Sequence, residues 1–227
     1  PPPAGVAPRR AAAAPPAGAP AVAEVLARLR AEGCVRAVVQ SLHVIPGHEY
    51  HGLLELANRL MTDPAGGWER IEVGFPLLFG EEGFRRTARA LVRLGPPDRG
   101  PDEAVLFMGH GTLHPGNEAY EGLAEALAGL DGRVLVATMR GDPDLAATRA
   151  RLRALGVRVV HLLPLLAVAG AHAEDDMAGE EEHAWAGLLS RDGIDCRAQL
   201  VGAVEQDALV DVWLRHLDDA LARLARP

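Results

Sequence analysis

Residues 104–139, AVLFMGHGTLHPGNEAYEGLAEALAGLDGRVLVATM, decide the fold. The stretch opens on an apolar run of strand length. It then carries apolar residues at helical spacing through NEAYEGLAEALAGL, and ends on a second strand-like run, RVLVATM. A strand, a helix and a strand in this order make a βαβ unit, so the two strands lie parallel in one sheet. At the first joint a histidine stands between two glycines, in GHG at 109–111.

The same alternation extends in both directions. AVAEVLARLRAEG precedes VRAVVQSLHV, HEYHGLLELANRLM precedes IEVGFPLL, and EGFRRTARALVRL leads into AVLFMG. On the other side, DLAATRARLRALG precedes VRVVHLLPLLAV. After a polar segment, IDCRAQLVG precedes the closing helix DALVDVWLRHLDDALARLA. The fold class is α/β with parallel strands. ARLRAEGCVRAVV at 27–39 echoes ARLRALGVRVV at 150–160, each a helix, a glycine stop and a strand. The echo suggests two similar facing lobes. The expected division is a Pro/Ala-rich arm over 1–20, a first lobe over 21–95 and a second over 96–227.

Composition narrows the function. The 227 residues are 48% apolar and 24% charged, with a formal charge of −8, which disfavours a nucleic-acid partner. No apolar run approaches membrane-spanning length, so no membrane partner is expected. All 23 basic residues are arginine, which excludes Schiff-base chemistry and a P-loop lysine. The two cysteines, Cys34 and Cys196, stand far apart and form no metal or redox motif. The chain starts without methionine and without a signal pattern. The expected location is the cytoplasm, with an upstream export signal left open.

Ligands of open parallel sheets sit beyond the carboxyl ends of the strands. Three such ends carry titratable side chains: SLHVIPGHEYH with His43, His48, Glu49 and His51; MGHGTLHPGN with His110 and His114; and AVAGAHAEDDMAGEEEH with His172, Glu174, Asp175, Asp176, Glu180 and His183. Gly109 and Gly111 flank His110 without side chains, which would let a large flat ligand approach the backbone closely. The alternative is a glycine-assisted turn with an incidental histidine. For His172 the alternatives are a solvated acidic loop or a mouth whose negative potential gathers divalent cations around a neutral imidazole. Glu49 could complete a ligand set or accept a proton. His161 and His216 fall on apolar elements and read as structural. His43 is open between core and pocket wall. Pro115 forces His114 extended, which argues against a helical metal clip with His110.

These three strings together resemble the sirohydrochlorin cobaltochelatases of anaerobic cobalamin biosynthesis, relatives of the class II ferrochelatases. The resemblance runs from about residue 20 to the end. It implies two facing α/β lobes around a tetrapyrrole cleft and a lyase that inserts Co²⁺, the substrate metal, into sirohydrochlorin or precorrin-2. It implies no organic cofactor and leaves self-association into a homo-oligomer open. The family's metal-handling histidines match His110 and His172, 62 residues apart as in the family, and its catalytic glutamate matches Glu49. Gly109, Gly111, His43 and Arg140 are then expected to line the tetrapyrrole site. Two departures stand out. TMRG places Arg140 where the family carries an acidic metal ligand, a cation that would weaken the metal site or pair with substrate carboxylates. The family's first strand and its GTS-type turn are not visible. Ni²⁺ or Fe²⁺ insertion, and tetrapyrrole binding without turnover, are the alternatives.

Overall fold

A computed structural model describes residues 21–179 and 181–226. The arm expected over 1–20, and Glu180 of the acidic run, lie outside the described residues. The helices are α1 (Val22–Ala31), α2 (His48–Thr62), α3 (Gly80–Leu94), α4 (Glu118–Leu130), α5 (Leu145–Ala154), α6 (Trp185–Arg191) and α7 (Asp207–Leu224). The strands are β1 (Arg36–Gln40), β2 (Arg70–Gly74), β3 (Glu103–Gly111), β4 (Val134–Arg140), β5 (Val159–Leu165) and β6 (Asp195–Ala198). All strand pairs are parallel, in a two-stranded sheet β1-β2 and a four-stranded sheet β4-β3-β5-β6. The α/β class read from the alternation is the one observed.

β3 is central and buried on both faces, as a parallel strand covered on two sides must be. Its period of two divides the core. Val105 and Phe107 face a cluster with Tyr120, Leu123 and Leu127 of α4, Leu91 of α3 and Trp213 of α7. Leu106 and Met108 face the other way, onto Leu152 of α5, Met177, and Trp185 and Leu189 of α6. A third cluster, with Leu26, Tyr50, Trp68, Ile71 and Val73, closes the small sheet.

The sequence echo marks equivalent local structure. Gly33 and Gly156 both take positive φ, 94° and 66°, at the ends of α1 and α5. The next residue donates back into the helix in both places, Cys34 N–H to Leu29 O and Val157 N–H to Leu152 O, each at 3.0 Å. A glycine adopts this left-handed stop without the Cβ penalty. β1 and β5 then start, and each pairs with the strand that follows it.

α7 belongs by sequence to the second half but packs on β1 and β2. Arg223 donates to Glu72 Oε2 at 2.9 Å and to the Val73 carbonyl at 2.8 Å, Trp213 Nε1 to the His43 carbonyl at 3.3 Å, and the buried His216 contacts the Phe75 carbonyl through Nδ1 at 3.2 Å. Burial pushes the Glu72 carboxyl up, but hydrogen bonds and charge from Arg223 and Arg70 outweigh it and hold the group below its ordinary range. The helix thereby brings the end of the chain back onto the first sheet. Among the described residues no helix is long and apolar enough to cross a membrane.

Candidate functional site

β3 and β5 are neighbours, with Gly109 opposite Leu165 near their carboxyl ends. Beyond Leu165 the chain runs to a single π-helical turn, His172–Met177. His110 shares the parity of Leu106 and Met108 along β3, the face onto which Ala173 and Met177 of that turn pack. Strand adjacency and side-chain parity thus bring two histidines together that lie far apart in sequence. Their ring centroids are 5.1 Å apart with 71° between the planes.

The two rings are held alike. His110 Nδ1 lies 2.8 Å from the Gly111 carbonyl, and His172 Nδ1 lies 2.6 Å from Asp176 Oδ2, one turn further along. A carbonyl or carboxylate only accepts, so each Nδ1 carries the proton and the neutral ring keeps its lone pair on Nε2. Neither Nε2 has a hydrogen-bond partner among the described residues. Oriented imidazoles with a carbonyl or carboxylate behind them are the form in which histidine binds metals. Asp176 also reaches towards His183 Nε2, at 3.9 Å. Among the described residues no group of three or more His, Cys, Asp or Glu converges on one metal position. What the described residues bring together here is a pair of imidazoles.

Packing within the protein shapes the GHG turn. A Cβ on Gly109 would overlap the buried ring of Tyr120, and one on Gly111, at φ 68°, would overlap the Arg140 carbonyl. At both positions the space a side chain would take is filled by protein, so packing by itself already calls for glycine there. Burial pushes the Tyr120 phenol far above its ordinary range, against the opposing effect of hydrogen bonding from the backbone of Gly111 and His110. Asn117 fixes the rest of the turn, its Oδ1 accepting from Thr112 N–H at 2.9 Å and its Nδ2 donating to the Asp142 carbonyl at 2.7 Å. Sequence reasoning assigned no role to Tyr120 or Asn117, and took Asp176 only as one charge of the acidic run. The i, i+4 spacing of His172 and Asp176 was the one available signal.

Arg140 ends β4 directly opposite Gly111, exposed, with no side-chain partner among the described residues. Glu49 lies exposed in the first turn of α2 and makes no hydrogen bond or ion pair with His110 or His172. Its charge is felt instead at His43 and His114. Burial lowers the half-buried His43 from its ordinary pKa, and Glu49 opposes the shift. His43 Nδ1 is also 2.8 Å from Ser41 Oγ. The structure thus separates the expected residues into a pair, His110 and His172, and a group on the first half, His43 and Glu49. His161 is structural, buried on β5 with Nε2 2.8 Å from Glu103 Oε2.

Comparison with known proteins bears on this geometry. The family model described as Cobalt chelatase (CbiK) matches residues 18–222. A sirohydrochlorin cobaltochelatase of Nitratidesulfovibrio vulgaris is 40% identical over 203 residues, 89% of this chain and 71% of the relative. The sirohydrochlorin cobaltochelatase of Salmonella typhimurium is 32% identical over 201 residues, 87% of this chain and 73% of the relative. Among solved structures, SirB from Bacillus subtilis with Fe³⁺ superposes with a TM-score of 0.62 at 16% identity, covering 88% of this chain and 77% of its own. The sirohydrochlorin chelatase SirB from Bacillus subtilis subspecies spizizenii, in complex with cobalt, gives 0.57 at 14% identity, covering 88% and 76%. At these identities the superpositions speak for the fold, and the sequence matches speak for descent. From the matched span and the two relatives together, this chain is a member of the CbiK cobalt chelatase family.

Proposed function

We propose that this chain inserts Co²⁺ into sirohydrochlorin, with release of two protons. The observation that carries the reading is the histidine pair, two imidazoles 5.1 Å apart, each with Nδ1 occupied and the Nε2 lone pair open.

Metal insertion needs a site that holds the cation loosely and accepts protons from two pyrrole N–H groups. Neutral histidine does both near pH 7. With two protein nitrogens the metal keeps open positions into which the macrocycle nitrogens can step. Asp176 behind His172 stabilises that ring if it becomes imidazolium after taking a proton. Glu49, on the opposite half, is suited to receive a proton from the cleft and pass it to solvent. The acidic segment around Glu174, Asp175 and Asp176 raises the local concentration of divalent cations. Arg140 supplies positive charge for a substrate carboxylate.

The test is conversion of sirohydrochlorin by catalytic amounts of the chain with Co²⁺, followed by absorption against a control without protein. His110→Ala lowers the insertion rate at least a hundredfold on this reading. An unchanged rate removes His110 from the mechanism. Parallel runs with Ni²⁺ and Fe²⁺ rank the metals. A second reading, tetrapyrrole binding without turnover, is favoured by one observation: Arg140 stands unpaired where the resemblance implies an acidic ligand. It predicts conversion that stops at one equivalent.

A further inference from the structure

A second group of histidines lies at the meeting point of the two halves. His48 and His51 stand on the first turn of α2, and His114 lies in the loop between β3 and α4. The centroid of His114 is 4.4 Å from that of His48 and 5.0 Å from that of His51. A Cβ on Gly116 would overlap the Pro46 carbonyl, so the loop carrying His114 presses on the loop leading into α2.

The three rings are not equivalent. His114 Nδ1 accepts the Gly116 N–H at 2.9 Å, in an extended residue (φ −74°, ψ 146°) that precedes the short turn at Pro115. An Nδ1 that accepts carries no proton, so the neutral ring has its proton on Nε2. This is the reverse of His110 and His172. His114 therefore offers a fixed N–H donor where the catalytic pair offers lone pairs, and it is ill suited to bind a metal through Nε2. Its Nε2 has no hydrogen-bond partner among the described residues. His51 donates Nδ1–H to the Gly47 carbonyl at 2.8 Å, which fixes its orientation, while neither nitrogen of His48 makes a hydrogen bond among the described residues. Glu49 faces the same ring and is the one carboxylate felt there, against the two imidazoles of His48 and His51.

We propose that His114, flanked by His48 and His51, binds a carboxylate of the tetrapyrrole at the seam between the two halves. The inference rests on the reading of sirohydrochlorin as substrate, a macrocycle with eight carboxylates that a chain of net charge −8 must hold with local donors. His114 is four residues from His110, a chain reach of at most about 14 Å. That is compatible with a carboxylate arm extending from a ring centred on the histidine pair. A hydrogen bond to a charged partner is among the stronger ones, and its loss is expected to weaken binding about tenfold.

Two substitutions separate binding from loop structure. In His114→Asn the amide oxygen replaces Nδ1 and keeps the Gly116 bond, but the side chain ends short of Nε2. In His114→Gln the amide nitrogen replaces Nε2 and the Gly116 bond is lost. Equilibrium titration with metal-free sirohydrochlorin is expected to give a Kd about tenfold weaker for His114→Asn and within threefold of the parent for His114→Gln. The opposite ranking, or equal affinities, overturns the inference and leaves the functional reading standing. A parent chain that does not bind metal-free sirohydrochlorin removes both. Dialysis against Co²⁺ alone is expected to show the same stoichiometry for the parent and His114→Asn. A site lost in the variant would make the cluster a metal site and overturn the inference.

Discussion

Gly109 shows how a single residue can be conspicuous in sequence for one reason and needed in the structure for another. Between strand and helix it invites a reading of close ligand approach, yet the volume beside it belongs to Tyr120. Gly109→Ala therefore overpacks the core and is expected to cost about 1–3 kcal/mol, seen as a lower Tm. An unchanged Tm would mean that Tyr120 can retreat. Arg140 poses the converse question, since its exposed side chain has no hydrogen-bond or ion-pair partner among the described residues and stands where the resemblance implies an acid. Arg140→Glu adds a carboxylate opposite Gly111 and is expected to tighten Co²⁺ binding about tenfold, measured by dialysis, while weakening affinity for sirohydrochlorin. A weaker Co²⁺ affinity would show that the β4 end does not reach the metal. His110 and His172 were legible in the sequence through their glycine- and alanine-rich surroundings and through the family resemblance. The tautomers that the proposed metal role requires were not, because Gly111 O and Asp176 Oδ2 become partners only once the strand end and the π-helical turn have formed.

At the scale of elements, alternating apolar and helical periods located every strand and six of the seven helices. The exception, α6, is seven residues long and follows an acidic run, too short for periodicity to show. Nor does periodicity say where a helix packs. α7 is amphipathic in sequence, but that its apolar side lies on β1 and β2 follows from Trp213, His216 and Arg223 meeting His43, Phe75, Val73 and Glu72. His216 gives this docking a pH dependence. Burial lowers its pKa, with the Phe75 carbonyl and Asp219 opposing and Arg86 adding a smaller push downwards. A histidine whose folded pKa lies below its unfolded value contributes fully above about pH 6.5, and its contribution is lost as pH falls through the folded pKa. Burial also leads the downward shifts of His43 and His114, which therefore act in the same direction. The Tm is thus expected to fall between pH 7.5 and 5. In His216→Asn, whose amide can still donate to Phe75 O, the fall should be smaller. An equal fall in the variant would move the acid sensitivity to His43 and His114.

Over the whole molecule, the two halves share one core. Leu77, Leu78 and Leu91 of the first half pack with Phe107 and Tyr120 of the second, and Trp213 of α7 joins them. Trp213→Ala is expected to destabilise the protein by about 3–5 kcal/mol and to lower a single unfolding transition without splitting it in two. Two separate transitions would mean that the halves fold independently. The shared core gives the histidine pair, the His114 group and Glu49 fixed positions on either side of the seam, as a reaction that must seat a macrocycle and a metal together requires. The most direct test of the central claim is the absorption of sirohydrochlorin incubated with Co²⁺ and a few hundredths of an equivalent of this chain. The account predicts many turnovers per chain, abolished in His110→Ala and His172→Ala. Conversion that stops at one equivalent, or that proceeds equally well in both variants, would contradict it.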